Sequence, residues 1–189
     1  MENKHALLIV DTQNDFCPGG ALPAEGGNLV GEKIADLVMS DHGYDYVLAT
    51  RDWHIDPGPH FSKKPDFVDT WPVHCKAGTL GAEFHPALEL AFQELPPDAE
   101  FLKGQYTPVY SGFEGSCNGV LLEDYLREKG ISHLDIAGIA TDFVVRETAM
   151  DAIRRKFRVR ILTDLVAQIN ADYGQLALDE LSEAGAELV

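Results

Sequence analysis

Four residues, Asp52, His54, His60 and His74, carry the strongest chemical signal in the sequence. Their spacing is Asp-x-His-x5-His-x13-His, and three of the chain's seven histidines fall inside it. Asp52 and His54 alternate on a stretch that reads as extended, so both side chains point the same way. Imidazole and carboxylate donors together suit one divalent metal ion, zinc first, with iron and manganese as the alternatives. The competing reading is a set of scattered loop histidines that only make hydrogen bonds. His85 lies outside the spacing and reads as structural. His5, His42 and His133 flank predicted strands and read as surface or boundary residues.

A second set sits at predicted strand ends: Asp11, Lys103 and Val144. A carboxylate beside a lysine, both partly desolvated, makes a proton-transfer pair with perturbed pKa values. Taken singly, Asp11 also reads as a cap and Lys103 as a solvated strand end. Position 144 lies where a strand turns sharply into a helix, in Gly138-Ile-Ala-Thr-Asp-Phe-Val-Val145. Such a turn leaves backbone N–H groups pointing outward, able to hold a developing negative charge. A nucleophile at 144 would be well placed, and the sequence has valine there. Five aromatics, Phe16, Trp71, Tyr106, Tyr110 and Phe143, accompany these residues. All but Phe143 lie in Gly- and Pro-rich loops, which suits the walls of a pocket for a small flat ring.

These residues require elements that bring distant strand ends together. Continuous apolar runs at His5–Asp11, Tyr46–Thr50, Glu100–Lys103, His133–Ala137 and Val159–Thr163 read as strands, with a short edge strand at Glu187–Val189. Helices are predicted at Asn28–Met39, Gly119–Lys129, Arg146–Arg155 and Asp172–Glu183, with a short one near Pro86–Phe92 and a C-cap at Gly130. The rest of 51–97 reads as one long functional loop. Strands alternating with helices predict an α/β, doubly wound, mainly parallel sheet with helices on both faces, in which all the strand ends share one edge.

Composition bounds the function. The chain has 189 residues, 45% hydrophobic and 24% charged, as expected of one globular domain spanning 1–189. A net charge of −16 argues against nucleic acid and anionic membrane as partners. The three cysteines, Cys17, Cys75 and Cys117, are unevenly spaced and suggest neither a disulfide framework nor a zinc ribbon. With no apolar run of signal-peptide or transmembrane length, a cytoplasmic setting is expected. The sequence does not choose between monomer and homo-oligomer.

The motifs also match a pattern. Val10-Asp-Thr-Gln-Asn-Asp-Phe-Cys-Pro-Gly-Gly20 resembles the opening motif of the nicotinamidase/pyrazinamidase branch of the isochorismatase-like cysteine hydrolases. Thr50-Arg-Asp-Trp-His54, His60-Phe61 and Trp71-Pro-Val-His-Cys75 resemble its metal segment. Phe101-Leu-Lys-Gly104 with Tyr110-Ser-Gly-Phe113 resembles its lysine segment, and Gly138–Asp142 with Thr148–Ala152 its nucleophile segment. The likeness runs the length of the chain, in order.

This resemblance implies hydrolysis of nicotinamide to nicotinate and ammonia, in pyridine nucleotide biosynthesis, with a small aromatic amide as the partner. It implies Asp11 as general base and acid, and Lys103 as the group that steadies charge. Asp52, His54, His60 and His74 would hold the metal, Phe16 and Trp71 would sandwich the ring, and the N–H groups of Ala140 and Val144 would form the oxyanion hole. It further implies a cis peptide between Ile139 and Ala140. The departure is at one position: the family reads Thr-Asp-x-Cys-Val, and this chain reads Thr141-Asp-Phe-Val-Val145. Valine has no lone pair and forms no thioester. Cys17, Cys75 and Cys117 all lie off the strand-to-helix turn. Three explanations stand open: a deliberate replacement, a binder of nicotinamide-like amides that does not turn them over, and a cysteine-free hydrolase of the same superfamily.

Overall fold

The computed structural model describes residues 3–189. Among these, eight strands form one sheet in the order β5-β4-β3-β2-β1-β6-β7-β8. They are β1 (Lys4–Val10), β2 (Tyr46–Asp52), β3 (Ala99–Lys103), β4 (Ser116–Cys117), β5 (Val120–Leu121), β6 (Ile131–Ile139), β7 (Arg158–Ala167) and β8 (Glu187–Leu188). All neighbouring pairs are parallel except β3 with β4 and β4 with β5. The helices are α1 (Gly27–Met39), α2 (Pro86–Glu94), α3 (Leu122–Lys129), α4 (Arg146–Arg154) and α5 (Ala171–Ala184).

From Ala6 to Val10 strand β1 is apolar without interruption because both of its faces are covered there. Leu7 and Ile9 pack with Val30, Ile34 and Val38 of α1 and Leu88 and Phe92 of α2. Ala6, Leu8 and Val10 pack with Leu122 and Leu126 of α3, Ala149 and Ala152 of α4 and Leu181 of α5. Local chemistry ends the helices where the sequence places the signals. Asn170 accepts hydrogen bonds from the N–H groups of Asp172 and Tyr173 and so starts α5. Gly130, at φ +69°, stops α3 as predicted.

Strand order sets the position of the site. The chain steps from β1 outward through β2 and β3, then returns to lay β6 on the other side of β1. The C-terminal ends of β1 and β6 therefore flank the topological switch point, where open α/β sheets leave a crevice.

Three expectations need correction. Gly119–Leu121 does not begin a helix. Asn118 (φ +51°) and Gly119 (φ +83°) form a tight hairpin turn between β4 and β5, and α3 starts only at Leu122. Strand β7 does not stop at Thr163 but bulges, so that Ile136 faces Ile161 while Gly138 faces Val166. The supposed long loop after Thr50 begins as strand, since β2 runs on through Asp52 and pairs it with Lys103.

Candidate active site

Asp11 follows β1, Asp52 and Lys103 end β2 and β3, and Val144 lies in the turn after β6. The chain leaves the sheet at Asp11 through a left-handed backbone (φ +40°). Lys103 and Asp11 are fully buried, and Asp52 nearly so. Lys103 Nζ donates to Asp11 Oδ2 at 2.7 Å and to Asp52 Oδ1 at 2.5 Å. Thr50 Oγ1 donates to Asp11 Oδ1 at 2.6 Å. A lone buried ammonium would shed its proton, but Asp11 and Asp52 outweigh that effect and raise the Lys103 pKa. Burial pushes the Asp11 carboxyl up to about 6 against the pull of Lys103, with the charge of Asp52 adding to the rise. Burial also works against ionised Asp52, but the Lys103 ammonium and the His54 imidazole 3.4 Å away outweigh it and hold its pKa low. Of the two carboxyls, Asp11 is therefore the one poised to exchange a proton near neutrality.

The other oxygen of Asp52 faces the histidines, with Oδ2 3.4 Å from His54 Nε2 and 3.9 Å from His74 Nε2. One ligating nitrogen from each of His54, His60 and His74 lies within 4.8 Å of the other two. His54 Nδ1 is 2.7 Å from the Gly104 carbonyl, and His74 Nδ1 is 2.8 Å from the Pro72 carbonyl. A carbonyl only accepts, so these Nδ1 atoms carry protons, and whenever the ring is neutral its Nε2 keeps the lone pair. Against burial, Asp52 raises the His54 pKa, while burial lowers that of His74. His54 Nε2 and His60 Nδ1 are buried with no hydrogen-bond partner. Burial, reinforced by His74 and His54, pushes the His60 pKa down to about 4, which keeps that ring in the neutral form that binds metal. Orphaned imidazole nitrogens facing one another beside a carboxylate fit a divalent ion.

A narrow pocket of about 30 Å³ opens beside this cluster. Its walls include Phe16, Trp71, Tyr110, Phe143 and Val144 together with Asp52, His60 and His74. Trp71 meets Phe143 edge-on at 5.0 Å and donates from Nε1 to the Tyr110 hydroxyl at 3.0 Å. Val144 belongs to a single π-type turn, Thr141–Val145, closed by the Val145 N–H donating to the Ala140 carbonyl at 3.0 Å. The preceding Ile139–Ala140 peptide is cis. Asp142 fastens this turn to the start of α5, accepting from the N–H groups of Ile169 and Asn170.

The structure thus brings Phe16, Trp71, Tyr110, Phe143 and Val144 to one pocket, which His60 and His74 of the histidine cluster also line. Asp11, Lys103 and Ala140 are buried nearby without lining it. Tyr106 is the exception: it is 67% exposed and outside the pocket, because the chain turns away at Gly104 (φ +74°) and carries it to the surface. Cys17 faces a separate cleft beside α1 and α2, its thiol pushed up to about 11 by burial. Cys75 has its sulfur near the Gly81 carbonyl, and Cys117 lies on β4. His85 is structural, as predicted, with Nδ1 accepting from the Ala87 N–H at the start of α2. Gln13 and Asp15 drew no role from the sequence, yet both hold the backbone around the histidine cluster. The signal was their place in the loop directly after Asp11, read only as part of a motif.

Residues 5–189 match the family described as Isochorismatase domain. The nicotinamidase/pyrazinamidase of Mycobacterium tuberculosis is 49% identical over 185 residues, 97% of each chain. The zinc complex of Pyrococcus horikoshii pyrazinamidase superposes with a TM-score of 0.83 at 34% identity, covering 98% of both chains. PnC1 from L. infantum in complex with nicotinate gives a TM-score of 0.85 at 32% identity, covering 100% of this chain and 93% of that one. Fold, motif order and similarity along the whole length agree: the chain belongs to the isochorismatase-domain family, in its nicotinamidase/pyrazinamidase branch.

Proposed function

We propose that this protein is a nicotinamidase-type site for small aromatic amides, in which the covalent cysteine step is closed at position 144. The observation that carries this is the joining of an aromatic pocket, a histidine–carboxylate cluster and a buried Asp–Lys pair at one sheet edge. Each part answers a need of amide chemistry on a flat azaaromatic ring. Phe16 and Trp71 offer faces for the ring. His54, His60, His74 and Asp52 would hold one divalent ion, zinc by the nature of the donors and by likeness to the zinc-bound relative. Such an ion, when bound, supplies a Lewis acid for a ring nitrogen or for water.

The remaining roles fall to this chain's own groups. Asp11, held against Lys103, takes or returns a proton at the amide nitrogen or at water. Lys103 keeps the two carboxylates apart and compensates their charge. The N–H groups of Ala140 and Val144 are the oxyanion donors. Val144 supplies no nucleophile, so hydrolysis through a thioester does not occur, and turnover falls to what binding and the oxyanion donors provide. The pocket is tight, so a six-membered ring has to push its aromatic walls apart on entry. A second reading rests on the same valine: the chain binds nicotinamide-like amides without hydrolysing them.

The reading extends to a single domain over 1–189 in a cytoplasmic setting. It is supported by a family match over 5–189 and by three free cysteines. Among the described residues, no helix is long and apolar enough to cross a membrane. The test is calorimetric binding of nicotinamide alongside an ammonia assay, on this chain and on Val144→Cys. Binding with no ammonia from this chain favours the binder. Slow ammonia release that a chelator abolishes favours hydrolysis. No binding to either protein contradicts both readings.

A further inference from the structure

Strand β1 stops pairing with β2 at Val10 and Thr50, and β2 continues for two more residues. The chain turns away at Asp11, and the Gln13 N–H folds back onto the Asp11 carbonyl at 2.8 Å. The Asp52 N–H and C=O, which face the β1 side, are thus left without a strand partner. The Gln13 side chain fills that place. Its Oε1 accepts from the Asp52 N–H at 2.9 Å, and its Nε2 donates to the Asp52 carbonyl at 2.8 Å. The second Nε2 hydrogen goes to the Ala82 carbonyl at 2.8 Å. Gln13 is wholly buried, and this one amide stands in for a peptide group of β1.

Two residues on, Asp15 does the same for the other half of the cluster. Its Oδ2 accepts from the Cys75 N–H at 2.7 Å, immediately after His74 and at a left-handed residue (φ +44°). The Cys75 carbonyl in turn accepts from the His54 N–H at 3.0 Å. The seat for the Asp15 carboxylate exists only because position 81 is glycine, where a Cβ would lie 2.1 Å from Asp15 Oδ2.

We propose that Gln13 and Asp15 are positioning residues for the metal: through backbone hydrogen bonds they fix where Asp52, His54 and His74 hold their ligating atoms. The proposal rests on the metal reading of this cluster. Neither side chain is placed to coordinate the ion, so their effect passes through the ligands they hold. Groups that orient metal ligands change metal affinity by roughly 10–100-fold when lost.

The test is zinc affinity, measured by competition with a chromophoric chelator, on the full chain. Gln13→Met, which keeps the size and removes the amide, and Asp15→Ala are each expected to raise the zinc dissociation constant at least about 10-fold. Leu126→Ala, in the core on the opposite face of the sheet, serves as control: it loses stability and keeps the parent affinity. Asp15→Asn retains an acceptor for the Cys75 N–H and is expected to recover most of the loss. If Gln13→Met does not fold, Gln13→Glu, which keeps the acceptor and loses both donors, carries the same expectation. Variants within threefold of the parent, or a control that weakens zinc equally, overturn the proposal. A parent that binds no zinc overturns the metal reading instead, and the two failures are told apart by that single titration.

Discussion

Lys103 is the side chain on which the buried charges depend. Among the described residues its ammonium is the one lysine or arginine charge paired with either carboxylate, Asp52 otherwise facing the His54 and His74 rings. Lys103→Met therefore leaves Asp11 and Asp52 facing each other in a dry interior, a change expected to cost about 3–5 kcal/mol in denaturant unfolding. Adding Asp11→Asn removes one of the two charges, and the double variant is expected to recover part of that loss. A Lys103→Met protein as stable as the parent would contradict the electrostatic account. The sequence made Asp11, Lys103 and the histidines legible because strand ends and ligand spacing are local patterns. It could not show that Lys103 bridges Asp11 to Asp52 beside the histidine cluster, since that contact follows from the lateral order of β1, β2 and β3. Tyr106 misled for a related reason: its loop looked like the other aromatic loops, and only the turn at Gly104 decides which way the side chain goes.

At the scale of elements, the turn after β6 depends on how closely β6 lies against β1. Gly138 has φ +126°, and a Cβ there would lie 2.0 Å from the Val10 carbonyl oxygen. Gly138→Ala is expected to destabilise the protein by roughly 2 kcal/mol or more, because two backbones rather than a flexible side chain must separate. An unshifted urea midpoint would show that the approach is not needed. The strands and helices around this turn were readable from continuous apolar runs and 3.6-residue spacing. The β4–β5 hairpin was missed although Asn118-Gly119 is its signal, because two-residue strands carry no periodicity to compete with a helical pattern. The run of β7 past Thr163 was missed because its bulge breaks the apolar run with Thr163 and Asp164.

At the scale of the whole molecule, the edge of the sheet opposite the site has its own buried charge. Asp135 on β6 is fully buried. It accepts from Arg160 Nε at 2.7 Å and Nη2 at 2.5 Å, and from the Tyr44 hydroxyl at 2.6 Å, with His5 Nε2 at 2.8 Å. Burial alone would raise its pKa, but Arg160, Tyr44 and His5 outweigh burial and hold it below the usual carboxylate range. The sign follows from linkage. A depressed folded pKa gives stability that is present above the unfolded value, about 4, and is lost as pH falls through the folded one. Asp135→Asn is expected to lower stability at neutral pH by about 1–3 kcal/mol and to flatten the fall in stability below about pH 4. An acid-unfolding curve with the parent's slope would contradict this. The fold class was legible at this scale, and the network was not, because His5, Tyr44, Asp135 and Arg160 come from four separated segments.

All three scales meet at Val144, the position at which the nicotinamidase resemblance implies a cysteine nucleophile. The most direct measurement is the steady rate of ammonia release from nicotinamide, at equal metal loading, by this chain and by Val144→Cys. If the remaining groups form a working site, the cysteine variant is faster by at least about 10³-fold. A variant that folds, binds the metal and releases ammonia no faster than the parent would contradict the central claim, that one side chain separates this site from a complete amidohydrolase.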